Sequence, residues 1–304
     1  MADISKAEAL ALLAEQDIDA IINPKTSQSA ALQSFHSVKM TAGTAKMPVL
    51  AALPTAGWVT DTGASTDTKP TSKMSWKDKN LVAEEIAVIV PIHENTLADS
   101  KFDIWGQVRP LVVAEFGRVL DLAIFQGVNK PASWTDAALI PGAIAAGNTL
   151  EATSDVAEDF NDAFSLVEND EFDVNAVYTG RFMRSQLRGL RDSQNRPVYL
   201  DALRSDGDTS SIYGQDLFYV TNRSWDRNKA IALVGDRDAV TLGIREDVQV
   251  KLLDQATVGG INLAERDMVA MRFKFRVAYA TAYSTAGMAE NAYPFSVITP
   301  DVTP

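Results

Sequence analysis

The chain has 304 residues, 46% of them hydrophobic and 22% charged, and a net charge of −12. That is enough apolar material for one elaborate domain or two ordinary ones. There is no cysteine, and the only histidines are His36 and His93. This excludes disulfides, thiolate metal sites, cysteine nucleophiles and a histidine-rich metal centre.

No apolar run approaches the roughly 20 residues that cross a bilayer. Residues 1–16 lack the basic-then-apolar order of a secretory signal. The negative charge argues against a surface that coats nucleic acid as a whole, because duplex binding is driven by cationic contacts to phosphate. It suits a protein that encloses a polyanion without adhering to it, and equally an ordinary solvated acidic surface.

In chain order, Asp3 caps an amphipathic helix with Leu10, Leu13 and Ala14 on one face, running unevenly through Ile18, Ile21 and Ile22 to Pro24. Such a helix docks either on its own domain or on a neighbour. Residues 38–53 suggest one or two short strands. Residues 60–80 read TDTGASTDTKPTSKMSWKDKN, with Met74 and Trp76 as the only large apolar side chains. That composition buries no core of its own, yet β-compatible residues flank it.

Trp58 and Trp76 are equidistant from Asp67. A turn over 67–70 makes the two tryptophans cross-strand neighbours in a hairpin with arms of about nine residues, roughly 30 Å long. A hairpin so poor in apolar surface is marginal alone and needs another surface to lie on. The alternative is an irregular surface loop.

Ile86, Val88, Val90 and Ile92 alternate along a strand. Asp103 caps a long helix over 104–125 that ends at Gly127, with Val108, Val112, Phe116, Val119 and Leu120 in its apolar stripe and Pro110 inside it. Residues 129–148, rich in Pro, Gly and Ala, read as loop. A helix over 155–168 follows, then a strand at 176–179 and a basic helix over 180–191 carrying Arg181, Arg184, Arg188 and Arg191. Residues 193–211 read as polar loop. Strands are predicted at 218–221, 231–234 and 248–252, with a turn at 257–260. The last strong element is 267–283. There Val269, Met271, Phe273, Phe275 and Val277 face one way, and Arg272, Lys274 and Arg276 form a basic ridge on the other. The ridge is either a solvated sheet face or an electrostatic seat for an arm of another subunit.

Catalytic motifs are missing. There is no phosphate-binding loop, no dinucleotide fingerprint and no nucleophile elbow. His36 lies in a linker-like stretch, and His93 directly follows a strand, where turn duty is simpler than catalysis. Carboxylates abound, but nothing selects an acid pair for glycosidase-type work. Asp206-Gly207-Asp208 lacks the rest of a calcium loop.

The order of short N-terminal arm, polar hairpin, strand, long helix, mixed domain and long late strand is distinctive. With Gly57-Trp58-Val59, Lys69-Pro70-Thr71, Leu81-Val82-Ala83-Glu84-Glu85, Pro91-Ile92-His93-Glu94 and the segment 272–283, the chain resembles the major capsid proteins of tailed bacteriophages, the Hong Kong 97 fold. The branch infecting actinobacterial hosts is the most similar.

The resemblance implies an α+β fold. It comprises an N-terminal arm (1–36), peripheral-domain strands (37–57), an extended loop (58–85), a peripheral domain with a spine helix (86–153), an axial domain (154–253), and a peripheral return strand with the C-terminal segment (254–304). It implies a non-enzymatic subunit that self-assembles into pentamers and hexamers of an icosahedral shell around double-stranded DNA. The location is the virion capsid, assembled in the host cytoplasm. The partners are other copies of the chain, a separate scaffolding protein, a portal and a possible cement protein, with no cofactor, no membrane and no sequence-specific DNA contact.

The implied inter-subunit contacts are Trp58, Asp61, Asp67, Lys69, Pro70, Lys73, Trp76 and Lys77 in the extended loop, and Asp254, Arg266, Asp267, Arg272, Lys274 and Arg276 in the peripheral domain. Asn222, Arg223, Trp225 and Arg227 are expected at the capsomer centre. Some family members weld their shells through a lysine, an asparagine and a glutamate. The matching positions here fall near Thr66, Asp267 and Lys274, which lack the needed groups, so no such cross-link is expected. An encapsulin-type nanocompartment and, from another class, a carboxylate-dependent cytosolic hydrolase are the alternatives.

Overall fold

A computed structural model of the chain describes residues 28–59, 69, 71–99, 103–191, 194–195, 210–289 and 291–301. The amphipathic helix expected before Pro24 and the turn expected over 67–70 fall on or among residues outside that set.

The described chain begins with a short helix α1 (Ala30–Ser34), then strands β1 (His36–Lys39), β2 (Thr44–Ala52), β3 (Ser75–Val82) and β4 (Glu84–His93). A short helix α2 (Glu94–Asp99) precedes the long helix α3 (Ile104–Asp121), which widens into a π-helical turn (Leu122–Gln126). Helix α3 starts where the sequence predicts: the Asp103 side chain accepts from the Gly106 amide. The π turn ends at Gly127, whose φ of 72° is the left-handed conformation a helix stop favours.

Helix α4 (Leu139–Ala146) and strand β5 (Thr149–Glu151) follow, then helix α5 (Val156–Asn169), strand β6 (Ala176–Gly180) and helix α6 (Met183–Gly189). Strands β7 (Ser210–Ile212), β8 (Gln215–Val220), β9 (Ala232–Gly235), β10 (Val240–Leu253), β11 (Thr257–Val258), β12 (Ile261–Asn262), β13 (Met268–Thr281) and β14 (Phe295–Thr299) complete the fold.

Strand pairing groups these elements differently from chain order. One sheet runs β5-β14-β9-β6-β8-β7, and the other β1-β10-β13-β4. Thus 240–253, expected with the axial segment, pairs with β13 in the four-stranded sheet. Phe295–Thr299 completes the six-stranded sheet between β5 and β9.

The six-stranded sheet is buried on both faces, and its period-two alternation assigns each side. Tyr178, Leu233 and Val297 join Phe116, Leu120, Ile124 and Phe125 of α3 and its π turn, together with Phe273, Phe275 and Val277 of β13, in one core. Val177, Val234 and Ile298 turn the other way and pack under Phe160, Phe164 and Val167 of α5 and Met183 and Leu187 of α6. Helix α3 is therefore the member that joins both sheets in a single core, while α5 and α6 cover the far face.

Two elements differ from the sequence reading for a common reason. Helix α4, LIPGAIAA, was expected to be loop because of its Pro and Gly. Pro141 sits in its first turn, where a missing N–H is harmless, and Leu139, Ile140 and Ala143 are buried in the main core. Strand β14 is too short for a periodic signal, but four of its five residues are buried.

Candidate assembly surface

The hairpin that stands out in the sequence exists, in a different register. Strands β2 and β3 are antiparallel from Thr44↔Val82 to Leu50↔Trp76. Further out, the Thr55 amide donates to Ser72 Oγ at 2.8 Å. Trp76 therefore faces Leu50, and Trp58 lies beyond the paired strands. The hairpin also begins at Thr44, well before 58.

The physical reason lies at the base. Leu81 and Ala83 are buried with Met40, Ala278 and Ala280, with Ala45 and Met47 packed against them. A one-residue slip would turn Leu81 out of that cluster. The tryptophans, both on the outside, exert no such constraint.

The base is also tied by polar contacts. Trp134 Nε1 donates to the Val82 carbonyl at 3.0 Å, and Ser133 Oγ donates to Glu84 at 2.6 Å. Lys79 pairs with Asp136 at 2.6 Å, and Asp136 also accepts from the Thr281 amide. Further out, Ser284 Oγ donates to the Leu50 carbonyl at 2.6 Å, and from there the hairpin is largely exposed. Trp76 is 63% exposed and Trp58 103% exposed, with Leu53, Val59 and Met74 also exposed. Lys69, Lys73 and Lys77 are exposed as well, whereas Asp61, Asp67 and Pro70 fall outside the described residues. Exposed apolar side chains interspersed with lysines, on an arm tied to its own subunit no further out than Leu50, mark a surface suited to a partner.

The basic ridge lies on the outer face of the four-stranded sheet, opposite α3. Its residues are set in cross-strand rows: Ile89–Arg272–Lys251, Ala87–Lys274–Gln249 and Glu85–Arg276–Glu246. Glu246 answers part of the ridge from within the chain. Its carboxylate lies 2.6 Å from Lys274 Nζ and 3.6 Å from Arg276 Nη1. The Lys274 hydrogen bond, aided by the charges of Lys274, Arg276 and Arg245, holds the Glu246 carboxyl below its ordinary range. Arg272 differs: its Nε is buried without a hydrogen-bond partner.

At the far end of this sheet, Asp254 and Arg266 are exposed. Asp267 adopts a left-handed φ of 50°, and its carbonyl accepts from the Glu94 amide at 2.9 Å. The expected turn at 257–260 is a two-residue hairpin in which Gly259 (φ 58°) and Gly260 (φ 81°) supply the positive φ such a turn needs.

The four residues expected at the capsomer centre divide into two kinds. Arg223 and Arg227 are exposed, with Arg227 over the Phe182 ring at 5.1 Å. Asn222 and Trp225 face inward. Trp225 packs against Phe125 and donates from Nε1 to the Ala230 carbonyl at 2.8 Å. Asn222 is buried and donates to Asp121 Oδ2 at 2.6 Å.

That contact leads to a feature the sequence reading missed. Asp121 is fully buried and also accepts from Ser29 Oγ (2.5 Å), Ala30 N (3.0 Å) and Ala31 N (3.1 Å). One carboxylate thus joins the root of the N-terminal arm, the end of α3 and the loop after β8. Burial raises its carboxyl above the usual range, while the hydrogen bonds pull it down. Gly117, one turn earlier, makes room: a Cβ there would stand 3.1 Å from the Ser29 Cβ. The available signal was an aspartate directly beside Leu120 in the apolar stripe.

Among the described residues no group of acidic or histidine side chains could hold a metal, and no helix is long and apolar enough to cross a membrane.

A model of the phage capsid family matches residues 11–287. The chain belongs to the phage capsid family. This capsid protein is similar to a solved chain of Microbacterium phage Oxtober96, with 70% identity over 99% of this chain and 100% of that one, and a TM-score of 0.89. It is also similar to one of Mycobacterium phage Cain, with 36% identity, full coverage of both chains and a TM-score of 0.87. A structure titled "Capsid of native GTA particle computed with C5 symmetry" shares the fold at 15% identity over 96% of each chain, with a TM-score of 0.68. No curated protein matches. The resemblance to capsid proteins of phages with actinobacterial hosts is therefore borne out, as is the α+β capsid fold. The protein is a major capsid protein, a structural subunit of a homo-oligomeric shell in the virion.

Proposed function

We propose that this capsid protein builds pentamers and hexamers of an icosahedral head around double-stranded DNA. The β2–β3 hairpin acts as the clasp between subunits. The observation that carries this reading is the hairpin itself, clamped at its base by Leu81, Trp134 and Lys79 and bare beyond Trp76. Its apolar residues and lysines would lie on a neighbour, with the Arg272 end of the basic ridge as one seat.

In this reading the four-stranded sheet and α3 form the peripheral domain and the six-stranded sheet the axial one. Strand pairing moves 240–253 to the former and 295–299 to the latter. Asp254, Arg266 and Asp267 lie at peripheral contacts, and Arg223 and Arg227 face the capsomer centre. Asn222 and Trp225 support that loop from inside.

The subunit does no chemistry of its own. Assembly takes place in the host cytoplasm with a separate scaffolding protein and a portal, and a cement protein reinforces a shell without covalent links. Lys274, at one of the three cross-linking positions, is engaged by Glu246. Nothing in the fold favours a cargo-enclosing compartment over a phage head.

The direct test replaces residues 56–71 with a two-residue turn, which keeps the β2–β3 pairing through Leu50↔Trp76. The shortened protein should fold and fail to form shells by negative-stain microscopy. Normal shells would reject the clasp. On denaturing gels, particles of the intact protein should run as single subunits; a ladder of linked ones would reject the non-covalent shell.

A further inference from the structure

The far face of the six-stranded sheet carries two helices of opposite charge. Residues 155–173, which hold α5, contain eight acids and no lysine or arginine. Residues 181–191, which hold α6, contain four arginines and no acid. Both helices bury their apolar sides in the same core, so the charge that remains is presented to solvent.

Helix α5 lies over β14 and β9. Its Glu158 and Asp162, one turn apart, are exposed on the side opposite Phe160, Ala163 and Val167. On α6, Met183 and Gln186 line the cleft shared with Asp159 and Phe160 of α5. Arg184 projects from the other flank, over the Tyr219 ring of β8 at 4.2 Å, with Arg188 one turn beyond. Arg188 and Arg191 donate to backbone carbonyls of their own helix and its end. Among the described residues, none of the four arginines pairs with a carboxylate, although the acidic helix is their neighbour on the same face. Within the described residues the row therefore stands without a carboxylate, on the surface of a chain of net charge −12 that has acids to offer from another copy.

The geometry points to a second copy of this chain as that partner: the Arg184–Arg188 flank of α6 in one subunit meets the Glu158–Asp162 crest of α5 in the next. The two patches differ and lie on different helices. In the rings of the proposed capsomer this pairing is heterologous: each subunit offers its α6 flank to one neighbour and its α5 crest to the other, and the contact repeats head-to-tail until the ring closes. Each exposed pair contributes little, but the contact recurs at every step of the ring and opposes wrong orientations through like-charge contact. The inference rests on the proposed capsomer assembly and adds its polarity and the residues that set it.

The test uses full-length protein assembled under conditions in which the wild type forms shells. Failure of the wild type to form shells would count against the capsomer reading itself. Reversing the basic side (Arg184→Glu with Arg188→Glu) or the acidic side (Glu158→Lys with Asp162→Lys) should lower shell yield about tenfold, as like charges meet. Circular dichroism and the melting temperature of unassembled subunits should stay as in the wild type. If either reversal unfolds the subunit, the neutral pairs (Arg→Gln, Glu→Gln with Asp→Asn) take its place, with a smaller loss expected.

Carrying all four reversals in one chain should restore shells. Mixing the basic-side variant with the acidic-side variant should give alternating rings. These close with six members and not with five, so sheets or tubes should replace closed shells. Wild-type yield from the single-side variants, or no rescue by the four-fold swap, would overturn the inference. So would unassembled wild-type protein binding a labelled DNA duplex through these arginines while their reversal left shells intact, because the row would then belong to nucleic acid.

Discussion

Leu50 and Trp76 are direct partners across the β2–β3 hairpin, and Trp58, which the spacing of the sequence sets against Trp76, lies outside the paired strands. This register puts both tryptophans on bare parts of the arm and makes the buried Leu81 the residue that aligns it.

The register is testable by cross-linking, since the chain has no cysteine of its own. Directly opposed residues in an antiparallel pair have Cα atoms about 4.5–5.5 Å apart, within disulfide reach. A Leu50→Cys/Trp76→Cys variant should oxidise to an internally linked subunit that migrates faster on a non-reducing gel. Trp58→Cys/Trp76→Cys should stay reduced under the same oxidant. The opposite result would restore the symmetric hairpin.

Trp58 should matter for the shell and not for the subunit. It is fully exposed, so Trp58→Ala should shift the unfolding free energy of the isolated subunit by no more than about 0.5 kcal/mol. Shell yield should fall. A lower melting temperature of the subunit would mean that Trp58 packs within its own chain.

Asp121 should be a large single contributor to subunit stability. Asp121→Asn replaces an acceptor by an amide that cannot receive all four donors, leaving buried N–H groups unsatisfied at a cost of about 1–3 kcal/mol. Urea unfolding measures this. The pH dependence follows from the raised folded value of its carboxyl. With the folded value above the unfolded one, the folded state holds the proton longer. The cost of burying the charge is absent below the ordinary carboxylate range and grows as pH rises through the folded value. Asp121→Asn should remove that part of the pH slope.

Glu246 should show the opposite slope. Its carboxyl is held low, chiefly by the Lys274 hydrogen bond. The stabilisation is present above the ordinary glutamate range and is lost as pH falls through the folded value. Glu246→Gln should flatten the acid limb of the stability profile, and the limb should also shrink at high salt because the pair is near the surface. An unchanged acid limb in Glu246→Gln would show that the pair contributes nothing.

Much of the fold is legible because its signals are local. Asp103 and Gly127 bound α3 and its π turn, Asp155 caps α5, and the alternation along β4 and β13 marks their buried faces. The hidden elements are those whose signal comes from the core. Helix α4 is apolar all round, and β14 is a five-residue segment, Phe295–Thr299, with only three apolar residues between two prolines. Their structure follows from what Leu139, Ile140 and Ala143 of α4 and Phe295 and Val297 of β14 bury in the main core, which no periodicity in so short a segment reports. Of the residues named for subunit contacts, the hairpin lysines Lys69, Lys73 and Lys77 and the arginines Arg223 and Arg227 are exposed. Asn222 and Trp225 turn inward, which no local pattern reports, because their partners Asp121 and Phe125 are about a hundred positions away in the chain.

By itself the sequence determined the capsid family, most of the order of helices and strands, a polar hairpin poor in core residues, and the segregation of charge between 155–173 and 181–191. These depend on local pattern and composition, which a linear reading contains. Only the tertiary structure decided the hairpin register, the exchange of 240–253 and 295–299 between sheets, the intrachain claim of Glu246 on Lys274, and the burial of Asp121 at the root of the arm. Each of these joins segments distant in sequence. Which donor meets which acceptor, and which apolar face is covered, is settled when the core closes around them.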